Sequence, residues 1–141
     1  MHKRIVSLVI LSLVLSTGLL LAEDLTPSDL VAAAKAEISS ITVAEAKALF
    51  DKGEYLFIDV REPDEFKMGH IPGAVNIPRG LVEFRIGAQV QENKNAKIVV
   101  SCKTGGRSAL ATQTLKKLGY KNLLNMDGGW TAWEEAGYPV E

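Results

Sequence analysis

The stretch Ile98-Val99-Val100-Ser101-Cys102-Lys103-Thr104-Gly105-Gly106-Arg107-Ser108 decides how this chain is read. An apolar run leads into the one cysteine of the chain, and a helical pattern follows from Arg107 to Leu118. A short apolar run bounded by turn residues is a buried strand, and strand, loop and helix in succession belong to α/β architecture. The thiol therefore precedes the first turn of a helix, where backbone N–H groups have no intrahelical partner. Those donors and the helix dipole favour an anion, so they lower the thiol pKa and stabilise the thiolate, the form that attacks electrophiles. A lone cysteine is more commonly a small buried hydrophobe. The residues after this one argue otherwise. Gly105 and Gly106 let several N–H groups converge on one point, and Arg107 adds a guanidinium fork suited to oxyanions. Cys102 is the candidate nucleophile, and Lys103, Thr104, Gly105, Gly106, Arg107 and Ser108 are its candidate anion cradle.

Outward from that loop, strands and helices alternate. Toward the N-terminus, Thr42 and Glu45 have capping-box spacing ahead of a helix carrying Val43, Ala46, Leu49 and Phe50, closed by Gly53. Tyr55 to Val60 reads as a buried strand that contains Asp59 near its end. Pro63-Asp64-Glu65-Phe66 starts a short helix. His70 to Pro78 reads as a turn, a short strand and a break, and Leu81 to Val90 as a helix. Toward the C-terminus, Lys121 to Leu124 is a further strand, and Asp127-Gly128-Gly129 turns into a last helix with Trp130 and Trp133. The expected fold is α/β in three layers, a mostly parallel sheet with helices on both faces. Sites in such sheets lie beyond the carboxyl ends of the strands, where Asp59 and Cys102 both fall. His70 reads as a structural turn residue, and the two tryptophans as core. Arg79 and Arg85 are further cations that the sequence does not place.

The N-terminus carries a second signal. Met1-His2-Lys3-Arg4 is short and basic, and Ile5 to Ala22 is uncharged and rich in Leu, Val and Ile. Residues 1–22 read as a signal peptide, with a retained N-terminal anchor as the alternative. In either case the domain is expected outside the cytoplasm, in the periplasm or cell envelope. Residues 23–37 read as a partly helical extension with Ser28 as cap, and residues 38–141 as the domain proper. A formal net charge of −1 gives no electrostatic ground for nucleic-acid binding. A single cysteine in an exported chain cannot close an internal disulfide, so it is reactive or pairs with a partner. No cofactor motif and no metal-ligand spacing occurs: the histidines are His2 and His70, and Cys102 has no ligand partner nearby.

Three ordered motifs resemble the rhodanese family. Asp59-Val60-Arg61-Glu62, Glu65-Phe66, Gly69-His70-Ile71-Pro72-Gly73-Ala74 and Asn76-Ile77-Pro78 are similar to its first signature. Cys102 to Ser108 resembles its active-site loop, and Gly128-Gly129-Trp130 with Ala132-Trp133 its closing motif. The resemblance implies a sulfurtransferase that takes a sulfane sulfur from a donor anion such as thiosulfate or polysulfide. It holds that sulfur as a Cys102 persulfide and passes it to a thiol or cyanide, with a protein thiol or persulfide as a further partner. It also implies supporting roles for Asp59 and Arg61: Asp59 pairing with Arg107 to order the loop, and Arg61 with Lys103 attracting the donor from the rim.

Two other functions compete. One is a phosphatase or arsenate reductase on the same fold. Cysteine phosphatases place five residues between Cys and Arg around a whole phosphate; here four intervene, leaving room for something nearer one sulfur atom. The other is a non-catalytic sulfur carrier or partner-binding module, because fold does not fix function.

Overall fold

The computed structural model describes residues 24–141; the expected signal segment 1–22 lies outside them. The element order is α1 (Pro27–Glu37), β1 (Ser40–Ile41), α2 (Val43–Lys52), β2 (Leu56–Asp59), α3 (Pro63–Lys67), β3 (Val75–Asn76), a 3-10 turn (Arg79–Leu81), α4 (Val82–Gln89), β4 (Lys97–Ser101), α5 (Gly106–Lys117), β5 (Asn122–Met126) and α6 (Gly129–Glu135).

Local chemistry starts the helices where the chain supplies its own caps. Thr42 Oγ1 accepts the Glu45 N–H at 3.2 Å, and the Glu45 carboxylate accepts the Thr42 N–H at 2.7 Å, the reciprocal pair expected from the spacing. Gly53 ends α2 at φ 66°. At α1 the cap is Thr26 rather than Ser28. Thr26 pairs with Asp29 in the same reciprocal way, and Ser28 falls inside the first turn.

The five strands form one sheet in the order β1-β5-β4-β2-β3, and every pairing is parallel. Side chains alternate across it. Ile58, Val100 and Cys102 face one side, where Val82 and Ile86 of α4 and Ala111 and Leu115 of α5 cover them. Phe57, Val99 and Met126 face the other, against Ala46 and Phe50 of α2 and Trp133 of α6. Both faces are thus covered, the condition that makes β4 a continuous apolar run. Ile58, Ile98, Val99 and Val100 are fully buried, each contributing roughly 1.5–3 kcal/mol of transfer free energy.

The segment before residue 38 is tied into this architecture. α1 packs along α5, buries Ala34 and places Val31 beside Gly106. β1, absent from the sequence expectation, adds a parallel edge strand on β5. Two-residue strands carry no periodicity, which is why Ser40–Ile41 is invisible in sequence. Among the described residues, no helix is long and apolar enough to cross a membrane.

Candidate active site

The parallel register brings β2 and β4 to a common carboxyl edge, with Asp59 beside Ser101. The Val60 N–H continues the ladder to the Ser101 carbonyl at 2.8 Å, so the residue after β4, Cys102, emerges between two supported strands. The chain then bends through Lys103 and Thr104 to Gly105, at φ 107°, and α5 begins at Gly106. An L side chain at Gly105 would be strained, and its Cβ would stand 3.0 Å from Asp127 Oδ1 and 3.3 Å from the Gly128 nitrogen.

No side chain caps α5. Its orphan donors turn to sulfur instead. The Gly105 N–H donates to Cys102 Sγ at 3.1 Å, and Ser108 Oγ lies 3.4 Å from the same atom. Cys102 is only 1% exposed. That burial pushes the thiol pKa up, but the Ser108 hydroxyl and the N–H groups of Ser108, Gly105 and Thr104 outweigh it, and the thiol lies below its ordinary value.

Arg107 belongs to the loop but does not pair with Asp59, as the resemblance had implied. Its guanidinium makes a two-pronged contact with Glu65 of α3, Nη1 to Oε2 at 2.7 Å and Nη2 to Oε1 at 2.8 Å. The Arg107 hydrogen bonds hold the Glu65 carboxyl down at about 2, against a smaller opposing effect of burial. The same carboxylate accepts the Glu62 N–H at 3.0 Å, so the start of α3 orients the acid that clamps the loop. Asp59 is taken by Arg61: Nη2 to Oδ2 is 2.7 Å and Nε to Oδ2 is 2.9 Å, with both side chains 3% exposed. Arg61 also donates to the Gly69 carbonyl at 2.8 Å and lies under the Trp130 ring, 4.9 Å from its centroid. Arg61 is therefore a buried brace with its charge paired, not a free cation at the rim. Sequence spacing could not choose between these pairings, because strand register and the placement of α3 decide which acid meets which arginine.

Lys103 is exposed and without an ion-pair partner among the described residues. With Glu65, Met68, Arg61, Trp130, Thr131 and Glu134 it lines a shallow cavity of about 270 Å³. Arg79 sits in the turn packed against α5, and its Nε is buried without a hydrogen-bond partner among the described residues. Trp133 is core, with Nε1 donating to the Pro139 carbonyl at 2.8 Å, whereas Trp130 is half-buried as a wall of the cavity. His70 is structural: its Nδ1 meets the Phe66 carbonyl at 2.9 Å, and its backbone exchanges bonds with Glu141.

Sequence reading missed Asn125. It is fully buried at the end of β5, and its Oδ1 lies 2.6 Å from Ser108 Oγ. The available signal was a polar residue inside the apolar strand Leu123-Leu124-Asn125-Met126. Gly129 was noticed only as part of a motif. Its backbone packs directly on the loop, while the Trp130 and Thr131 N–H groups bind the Cys102 and Lys103 carbonyls at 2.8 and 3.0 Å.

A cysteine at the carboxyl edge of a parallel sheet, its sulfur held by helix-start donors and its loop clamped by a half-buried ion pair, defines an α/β protein with a thiol poised to ionise. Residues 42–136 match the rhodanese-like domain, and the chain belongs to that family. It is 36% identical over 115 residues to thiosulfate sulfurtransferase 18 of Arabidopsis thaliana, covering 74% of this chain and 84% of that protein. A Rhodopseudomonas palustris protein of unknown function, described as a possible tyrosine phosphatase, superposes with a TM-score of 0.77 at 34% identity, over 83% of this chain and 95% of that one. A thiosulfate sulfurtransferase of Pseudomonas aeruginosa superposes with a TM-score of 0.71 at 26% identity, over 82% of this chain but only 22% of the other.

Proposed function

We propose that this protein is a sulfurtransferase that carries sulfane sulfur on Cys102. The observation that carries the reading is the sulfur itself, held as the cap of α5 by Gly105 and Ser108. The Cys102 thiolate attacks the outer sulfur of thiosulfate; the new S–S bond forms as the donor S–S bond breaks, and sulfite leaves with the electron pair. The product is a Cys102 persulfide anion, whose terminal charge the cradle of Lys103, Thr104, Gly105, Gly106, Arg107 and Ser108 is built to stabilise. Cyanide or a thiolate then attacks the terminal sulfur, and the Cys102 thiolate departs regenerated. Lys103, exposed on the loop next to Cys102 and without an ion-pair partner among the described residues, is the cation we assign to attracting a dianionic donor.

The kinship to thiosulfate sulfurtransferases of Arabidopsis thaliana and Pseudomonas aeruginosa supports this reading. A phosphatase would need its loop arginine turned on the substrate, and Arg107 is committed to Glu65. Residues 1–22 further lead us to propose that the protein acts outside the cytoplasm; detection of the full chain only in the cytoplasmic fraction would refute that.

The test is intact-mass measurement after incubation of the reductant-free domain with thiosulfate, beside Cys102→Ser. We expect a gain of one sulfur atom on the parent alone, removed by cyanide as thiocyanate. No gain from thiosulfate or polysulfide would overturn the reading, and a load that cyanide cannot remove would favour a carrier with a dedicated acceptor.

A further inference from the structure

Ser108 has one hydroxyl proton and two acceptors within reach. Its Oγ lies 2.6 Å from Asn125 Oδ1 and 3.4 Å from Cys102 Sγ. The shorter contact has O–H···O geometry, so with the carboxamide in this orientation the proton is held by Asn125. Ser108 Oγ can then only accept from the sulfur side, which suits a protonated thiol donating S–H. It does not suit a thiolate, which needs a donor.

The other end of Asn125 offers the remedy. Its Nδ2 lies 3.2 Å from Ser40 Oγ, and the β1–β5 register sets Ser40 beside Asn125. Ser40 is exposed, whereas Asn125 and Ser108 are fully buried. A hydroxyl flanks the carboxamide on each side, and a hydroxyl can give or take. Turning the carboxamide over would therefore leave no polar group unsatisfied. In the inverted arrangement Ser40 donates to Oδ1, Nδ2 donates to Ser108 Oγ, and the Ser108 proton is released toward sulfur.

We infer that Asn125 is the positioning residue of the nucleophile: its carboxamide sets the direction of the chain Ser40–Asn125–Ser108–Cys102, and turns over when the sulfur passes from thiol to anion. The chain gives the buried sulfur a line of polar contacts that ends at solvent without admitting water to the core. This deepens the sulfur-transfer reading, on which its catalytic meaning rests. The charged groups on the surrounding elements do not substitute for it. Arg107 on α5 is paired with Glu65, Asp59 at the end of β2 with Arg61, and Asp127 after β5 with Lys35 of α1. Lys103 on the loop itself is exposed.

The experiment is alkylation of the single cysteine by iodoacetamide as a function of pH, which needs neither sulfur donor nor acceptor and so stands apart from the loading test. A carboxylate only accepts, so Asn125→Asp should keep the Ser108 proton from the sulfur and slow alkylation near neutral pH roughly tenfold. In a Ser108→Ala background, itself slowed, the same substitution should cost less than about threefold, the residue of its charge alone. Equal slowing in both backgrounds, or none in either, overturns the inference. Should Asn125→Asp not fold, the parent protein answers: the Asn125 side-chain amide resonances should titrate with Cys102 and cease to do so in Ser108→Ala. Amide resonances that stay still as Cys102 ionises overturn it as well.

Discussion

The α-carbon of Gly129 lies so close to the backbone of Cys102 that a methyl group built on it would stand 2.5 Å from the Cys102 carbonyl oxygen and 2.6 Å from the Lys103 carbonyl carbon. Gly129 also sits at φ 57°, in the left-handed region. The closing turn of the domain is thus a backplate for the nucleophile loop, and its absence of a side chain is what allows the fit.

Gly129→Ala should therefore damage both stability and site. The two backbones must separate, which weakens the Trp130 N–H bond to the Cys102 carbonyl. We expect a loss of at least about 2 kcal/mol, seen as a Tm lower by roughly 10 °C, with slower sulfur loading in proportion. An unchanged Tm would contradict the contact.

Breaking the buried pair at the end of β2 has a different signature. Asp59→Asn leaves the Arg61 guanidinium 3% exposed and without its anion, a change that costs about 3–5 kcal/mol by denaturant unfolding. Replacing both partners with apolar residues of similar volume should recover most of that loss, since the pair itself is worth little beyond its own desolvation.

The loop clamp should be acid-labile. The Glu65 carboxyl titrates at about 2 when folded, against an ordinary value of 4.5, so it binds a proton more readily in the unfolded chain. Its contribution is complete above pH 4.5 and is lost as pH falls toward 2. Both partners are about a third exposed, which limits the stability gain to about 1 kcal/mol or less. Glu65→Gln should accordingly shift stability little but slow Cys102 loading severalfold; a pH–stability curve that still falls identically between pH 4.5 and 2 in the variant would refute the assignment.

Thiol reactivity should extend below the usual range. Burial raises the Cys102 thiol, but the Ser108 hydroxyl and the N–H groups of Ser108, Gly105 and Thr104 lower it by more, so iodoacetamide alkylation should reach its half-maximal rate at a lower pH than that of a free cysteine. Unfolding in urea should return the midpoint to that of a free cysteine.

Donor attraction should separate from chemistry. Lys103→Ala removes an exposed cation next to Cys102 that has no ion-pair partner among the described residues, so KM for thiosulfate should rise severalfold with kcat little changed. An equal fall in kcat would place Lys103 in the transition state instead.

Much of this molecule was legible in one dimension. β4 is continuous and apolar because both its faces are covered. The donors that hold Cys102 lie two to six residues beyond it, so the glycines and the start of α5 deliver them by local geometry alone. Three relationships were not legible. Arg107 meets Glu65 across 42 residues, Ser108 meets Asn125 across 17, and α1, though its helix was expected, docks on α5 while β1 adds to β5 with nothing local in the chain to announce either contact. Local backbone preference specifies a loop, a cap or a turn, because these depend on neighbours in the chain. Which acid an arginine pairs with, and which amide directs a hydroxyl, depend on sheet register and helix docking, and those exist only once the two cores have formed on either side of the sheet.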